Sequence, residues 1–312
     1  MNEVNLEKIW PGWRVVRTLG QGSYGVVYEA VHEEAGFSGR AAVKVISIPQ
    51  NRAELDTLRS EGMTEEQSRT YLGDVVNEFI SEIRLMYSLK GTENIVSVED
   101  YRVIEKQDEV GWDIYIRMEL LTPLVRYISD KTLDEREIIK LGTDLCSALE
   151  VCARKHVLHR DIKPENIFVN EFGSYKLGDF GIARTLENSS HGLSQKGTFN
   201  YMAPEVYRGN SYSANVDIYS LGLVLYYLSN NRKLPFLSAD KSLHSHGERM
   251  EALQRRFSGE PLPPPCNASK ALSDVILTAC APNPAIRFQT ASSMKNALSS
   301  LLGAPLKAAR TV

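Results

Sequence analysis

The first third of the chain alternates short apolar runs with turn signals. Residues 13–20 (WRVVRTLG) and 25–32 (GVVYEAVH) are β-rich runs flanking a glycine-rich turn, and 40–48 (RAAVKVISI) is a third. A polar stretch follows, then a helix signal. Thr64 and Gln67 stand at capping-box spacing, and residues 68–89 carry apolar side chains at helical spacing. Val76, Phe79, Ile83 and Met86 share one face, which leaves Glu78 and Glu82 one turn apart beside it. Residues 94–105 and 112–120 read as two more strands, joined by a polar turn around Gly111.

From about residue 125 the pattern turns helical. Residues 136–156 form a strong amphipathic helix, and 216–229 are so apolar that the pattern predicts burial on nearly all sides. Residues 273–281 and 291–302 read as later helices. The span 230–265 mixes charge, glycine and proline and is expected to hold loops plus a helix around 250–257. No internal repeat stands out. The fold class is therefore α+β in a single domain spanning 1–312. A small β-rich N-terminal lobe covers 12–120, a larger mainly helical C-terminal lobe covers 121–301, and a tail covers 302–312.

Composition alters this picture little. At 312 residues, 43% hydrophobic and 24% charged, the chain lies in the ordinary globular range. With 36 basic and 39 acidic residues the formal charge is -3, which gives no reason to expect nucleic acid or an anionic membrane as partner. The four cysteines form no close CxxC pair, so neither a disulfide framework nor a structural zinc site is expected, and a reducing compartment is. The start shows no charged leader followed by an apolar run, and no stretch reaches the roughly 18 to 20 apolar residues that cross a bilayer. The expectation is a cytoplasmic chain, or the cytoplasmic domain of a longer membrane-anchored parent.

Candidate chemistry begins at Gly20-Gln21-Gly22-Ser23-Tyr24-Gly25. Glycines let backbone amides approach phosphate oxygens without an intervening Cβ. Alone, the motif reads equally well as a plain turn; a dinucleotide site would need a helix next, but a strand follows. Lys44 then appears at the inward phase of the third strand. It admits a snorkelling surface reading and a sharper one, in which it holds phosphates and pairs with a carboxylate on the next helix. Glu82 is the preferred partner, Glu78 its rival. Residues 157–169 (VLHRDIKPENIFV) thread polar groups between apolar ones: Asp161 to orient a hydroxyl, Lys163 to neutralise phosphate, Asn166 to offer an oxygen to a metal. Asp179 follows in 175–181 (YKLGDFG), either as a turn former or, with Asn166, as an oxygen ligand for Mg2+.

These motifs, in this order from about 14 to 300, resemble the eukaryotic-type serine/threonine protein kinase family, with wording closer to bacterial members than to animal signalling kinases. The resemblance implies the two-lobed kinase fold and use of ATP with Mg2+. It places Leu19, Gly20, Gly22, Gly25, Val27 and Ala42 over the nucleotide, Met118 at the gatekeeper, Glu119 and Leu121 at the adenine edge, and Phe168 beneath it. Lys44 binds phosphate and pairs with Glu82, Asp161 and Lys163 act in catalysis, and Asn166 and Asp179 hold metal. It further implies that Glu205 pairs with Arg287, that Asp217 braces the catalytic loop, and that Met86, Val98, His159 and Phe180 form an apolar column, making His159 structural.

The resemblance also speaks to specificity. Lys163 after Asp161, and Gly197-Thr198 before Ala203-Pro204-Glu205, are the serine/threonine form. Arg160 beside Asp161 marks a type switched on by phosphorylation, with Ser194 or Ser189/Ser190 preferred over Thr185 and Thr198. The expected partner is a protein carrying Ser or Thr, with a transient homodimer for trans-autophosphorylation. An ATP-binding pseudokinase-like scaffold is the alternative, although no key residue is missing. The sequence departs from the pattern in a long polar stretch at 51–74, in lacking a ribose-binding acid at 121–124, and in Asn200 where proline is common. His244 and His246 lack a third ligand nearby and read as a polar loop; the Pro261–Pro265 run reads as a rigid connection.

Overall fold

In the computed structural model the early β-rich runs pair into one antiparallel sheet of order β1-β2-β3-β5-β4. Its strands are β1 (Trp13–Gly22), β2 (Gly25–Glu34), β3 (Phe37–Ile48), β4 (Val98–Glu105) and β5 (Trp112–Glu119). The structure describes residues 4–22, 25–180, 198–209, 213–238 and 241–303. They divide into two compact units, one running to Leu121 and one beginning at Thr122, with Phe180 grouped with the first.

In the first unit, period-two alternation gives the sheet two distinct faces. One carries Ala30, Val43, Val45 and Tyr115, and the N-terminal segment covers it. A 3-10 turn, Leu6–Lys8, buries Leu6 and Trp10 against Ala30 and Val43. Trp10 Nε1 donates to Asp100 Oδ2 at 2.7 Å, and the Arg117 guanidinium lies 5.1 Å from the Trp10 ring and 4.6 Å from Trp13. The other face carries Val27, Ala42, Lys44 and Met118, fixed by the pairings Val27↔Lys44 and Ala42↔Met118.

The polar span at 51–74 resolves into α1 (Arg52–Ser60) and the first turns of α2 (Glu65–Ser88). Asn51 caps α1, its side chain accepting from the Glu54 N–H at 3.1 Å. Thr64 and Gln67 form the expected capping box on α2, at 2.8 and 3.2 Å. The buried stripe of α2, including Leu72, Val76, Phe79, Ile83 and Met86, packs toward β3 and β4.

The second unit is mainly helical. Its helices are α3 (Leu124–Tyr127), α4 (Glu135–Arg154), α5 (Pro204–Tyr207), α6 (Asn215–Leu228), α7 (His246–Ser258), α8 (Lys270–Ala279) and α9 (Ala291–Leu302). A small sheet, β6 (Thr122–Pro123), β7 (Ile167–Val169) and β8 (Tyr175–Leu177), accompanies them. As its pattern requires, α6 is buried at every position except Tyr227. Gly222 lets α8 approach it closely, because a Cβ there would lie 2.7 Å from Cys280 Sγ and 2.8 Å from Ala279 Cβ. A capping box of Ser245 and Glu248 starts α7 four residues earlier than periodicity indicated. Among the described residues no helix is long and apolar enough to cross a membrane.

Candidate active site

The first unit positions the glycine-rich hairpin and Lys44. Gly22 pairs with Gly25, so β1 and β2 close across two residues, Ser23 and Tyr24, that lie outside the described set. Gly25 has φ +145°, and a Cβ on it would stand 2.1 Å from the Val45 carbonyl oxygen; β3 passes too close for any other residue. Leu19 and Gly20 precede the turn on β1. Lys44 is half-buried on the central strand, on the same face as Val27, Ala42 and Met118. On α2, Glu82 is half-buried beside Ile83 and Met86, whereas Glu78 is exposed.

At the end of β5, Glu119 is held twice by Ser97. Its N–H donates to the Ser97 carbonyl at 3.1 Å, and its Oε1 accepts from the Ser97 N–H at 2.6 Å. The Leu121 N–H makes no backbone hydrogen bond among the described residues.

The second unit gathers the candidate residues of 157–169. Asp161 Oδ2 accepts from Lys163 Nζ at 2.8 Å and from Asn166 Nδ2 at 2.9 Å. Asn166 Nδ2 also donates to the Asp161 carbonyl at 2.8 Å. The Gly178 N–H donates to the Asn166 carbonyl at 2.9 Å, which starts Asp179 beside that asparagine. Asp179 and Arg160 both adopt left-handed backbone conformations, at φ 53° and 64°, so the loop sits in geometry that needs outside support. Phe168 lies in β7, paired with Lys176 and Pro123.

That support comes from Asp217 on buried α6. Its two carboxylate oxygens accept from the N–H groups of His159 and Arg160, each at 2.8 Å. His159 is fully buried, and desolvation is the largest influence holding its pKa below the ordinary value, against the opposing pull of Asp217. The Asp161 N–H donates to Nδ1 at 3.3 Å, which assigns the proton to Nε2, 3.0 Å from the Gly178 carbonyl. A neutral, doubly bonded ring suits a structural role.

Farther along, Arg287 meets Glu205 as anticipated, Nη1 to Oε1 at 2.5 Å and Nη2 to Oε2 at 2.7 Å. Two supports of the same segment escaped the sequence reading. Arg256, on α7, donates to the carbonyls of Phe199 and Met202 at 2.5 and 3.2 Å, and Ser220 Oγ donates to the Tyr201 carbonyl at 2.8 Å. No local signal marks them, because their partners lie far away in the chain. The phosphorylation candidates Thr185, Ser189, Ser190 and Ser194 lie outside the described residues, as does the Thr198 side chain.

A protein kinase domain model matches residues 13–299. Serine/threonine-protein kinase Pkn1 of Myxococcus xanthus is 33% identical over 299 residues, covering 92% of this chain and 38% of Pkn1. The SNF1-related protein kinase catalytic subunit alpha KIN12 of Arabidopsis thaliana is 31% identical over 226 residues, 72% of this chain and 40% of that protein. Serine/threonine-protein kinase PknB of Mycolicibacterium smegmatis is 33% identical over 174 residues, 54% of this chain and 26% of PknB. The matched region thus spans less than half the length of each of these relatives. With the family model extending across almost all of its residues, this chain belongs to the protein kinase family.

Proposed function

We propose that the chain is a serine/threonine protein kinase that moves the γ-phosphoryl group of ATP onto a hydroxyl of a protein substrate. The observation that carries this reading is the cluster of Asp161, Lys163 and Asn166, tied together at 2.8 to 2.9 Å on a loop whose backbone Asp217 holds. Phosphoryl transfer asks a protein chiefly for positioning and charge. Asp161 accepts a hydrogen bond from the substrate hydroxyl and aligns its oxygen with the γ-phosphorus. The new P–O bond forms as the bond to the β-phosphate oxygen breaks, and the hydroxyl proton passes to Asp161. Lys163 places a positive charge beside the transferred group.

The first unit supplies the nucleotide contacts in this reading. Backbone amides around Gly20, Gly22 and Gly25 cover the phosphates, and Lys44 takes phosphate charge with Glu82 to orient it. The exposure of Glu78 favours Glu82 over its rival. Leu19, Val27, Ala42 and Met118 give the adenine apolar surfaces. The Glu119 carbonyl accepts from the adenine edge in this reading, and the Leu121 N–H donates to it.

The donor set fits Mg2+. Asn166 commits Nδ2 to Asp161, so its Oδ1 is the atom left for a cation, and Asp179 adds a carboxylate next to it in the fold. Among the described residues no group of three or more His, Cys, Asp or Glu forms a metal cage. Mg2+ asks for little more than one or two protein oxygens when phosphates complete its shell. Bound there, it would neutralise charge on the phosphate oxygens.

The same reading includes autophosphorylation of the segment ahead of Ala203-Pro204-Glu205, in trans within a transient homodimer, and a cytoplasmic setting. The test is transfer of γ-labelled phosphate to a mixture of unstructured proteins, followed by phosphoamino-acid analysis. Label on Ser and Thr that disappears in Lys44→Met and Asp161→Asn is expected. Label confined to Tyr, or label equal in the variants and the unmodified chain, overturns the proposal.

A further inference from the structure

Beside the segment that ends in Ala203-Pro204-Glu205 lies a cavity of about 210 Å3, bordered by Tyr201 and by Arg232, Lys233, His244, Arg249 and Arg256. It is smaller than a typical small-molecule site and has room for about one side chain. Among the described residues, which do not include Asp240, no aspartate or glutamate lines it.

The cations around it are anchored by carbonyls instead of carboxylates. Arg232 Nη2 donates to the Lys131 carbonyl at 2.6 Å, and Lys233 Nζ to the Ser242 carbonyl at 2.9 Å. The buried Arg256 spends its guanidinium on Phe199 and Met202 carbonyls. Arg249 has no ion-pair partner among the described residues. Among the described residues the nearby acids are occupied elsewhere: Glu248 with Lys241 at 2.7 Å, and Glu260 with Arg255. Glu165 is exposed and acts on Tyr201 and Tyr227 only through space. A second observation points the same way. His244 Nε2 is buried and has no hydrogen-bond partner among the described residues.

Four positive side chains and an unsatisfied ring nitrogen therefore converge on a space of one side chain. Such a concentration of one sign attracts the opposite charge, and donors held by backbone carbonyls keep their remaining N–H groups for an incoming acceptor. We infer that this pocket receives an anionic side chain of the protein substrate, aspartate, glutamate or phosphoserine, at a position flanking the accepting hydroxyl. The inference rests on the kinase reading and names the substrate class within it. Arg232, Lys233 and Arg249 select the substrate, and His244 supplies a further hydrogen bond.

The test uses the full chain in two arms. In the first, serine peptides carry Glu, Asp, phosphoserine, Gln or Lys in turn at each position from four before to four after the serine. At one position the acidic residues are expected to raise kcat/KM at least tenfold over Gln, mainly through KM. That ratio is expected to fall toward one in the Lys233→Gln, Arg249→Gln double variant and to survive in Arg249→Lys. Because it is a ratio, partial loss of folded enzyme does not change it. Phosphoserine favoured well beyond Glu and Asp would identify a primed substrate; equal preference would identify a plain acidic one.

In the second arm, the binding of fluorescein-labelled peptides with alanine in place of serine is followed by anisotropy. Glu peptides bind at least fivefold tighter than Gln peptides if the inference holds. Peptides phosphorylated or bound without regard to charge, or with Lys preferred, overturn it while leaving the kinase reading intact. Charge-selective binding without phosphorylation of any peptide counts against the kinase reading and for the pocket.

Discussion

Arg287 and Glu205 form a two-pronged ion pair that is almost entirely buried, with side-chain exposures of 0% and 8%. The remaining Arg287 Nε donates to the Ala281 carbonyl at 2.6 Å, so the cation is satisfied on several sides. The pair ties the segment ending at α5 to the loop after α8. Removing one partner leaves the other charge buried and alone. Arg287→Ala is expected to cost about 3 to 5 kcal/mol of stability in urea titrations. Arg287→Lys keeps the charge but loses the fork, and falls between it and the unmodified chain. A loss below about 1 kcal/mol for Arg287→Ala would place the pair among weak surface bridges.

His159 gives stability a pH dependence of definite sign. Burial holds its pKa below the unfolded value, so the unfolded chain takes up a proton more readily than the folded one. This contribution is complete above the unfolded value of about 6.5 and declines as pH falls through it. His159→Phe should flatten that part of the stability profile between about pH 5 and 7. An unchanged slope would mean the imidazole is protonated in the folded chain.

Asp217 holds the backbone of the loop that carries Asp161, so activity is expected to depend on it. Asp217→Asn keeps the shape but offers one acceptor oxygen where two N–H groups now bond, each at 2.8 Å. A kcat about 100-fold lower is expected, since a misplacement of order 1 Å at the reacting groups costs that much. ATP affinity should be little changed. Equal losses in nucleotide binding and turnover would point to general unfolding.

The N-terminal cap should contribute strongly to the first unit. Trp10 is 4% exposed, bonded to Asp100 and stacked under Arg117. Trp10→Ala should destabilise by about 3 to 5 kcal/mol, as other large-to-small core changes do. Trp10→Phe keeps most of the packing and isolates the indole hydrogen bond. Thermal unfolding of the three proteins tests this, and a Trp10→Ala midpoint equal to that of the unmodified chain would contradict it.

Thiol chemistry should separate the cysteines. Burial pushes Cys146, Cys152 and Cys280 up to about 12, whereas Cys266 is exposed. Iodoacetamide at neutral pH is therefore expected to label Cys266 alone, with the other three reacting only in denaturant. Rapid labelling of any buried cysteine in the native chain would reveal an opening of the second unit.

Much of the fold is written locally. Period-two runs mark the five-stranded sheet, and helical spacing marks α9 at its observed bounds because one face is buried and the other is wet. The Asp161, Lys163 and Asn166 cluster is legible because its members lie within six residues of one another. What the sequence conceals depends on distant partners. Trp10 finds Asp100 90 positions away, and Arg256 finds Phe199 and Met202 57 and 54 positions away. Neither pairing leaves a periodic trace. The basic pocket is hidden for the same reason: Arg232 and Lys233 follow α6 while Arg249 and Arg256 belong to α7, and only folding brings them together. The span at 51–74 was ambiguous because α1 is short and polar, with just Leu55 and Leu58 buried.

The most direct measurement is single-turnover phosphoryl transfer, with ATP binding measured in parallel, for the unmodified chain and Asp161→Asn. The substitution keeps the side chain's size while removing the charge that orients the hydroxyl. Nucleotide affinity within about threefold of the original, with transfer slower by about 100- to 10,000-fold, is the predicted result for loss of a positioned acid-base group. Transfer at an undiminished rate in Asp161→Asn, or no transfer by the unmodified chain while ATP binds, would contradict the account.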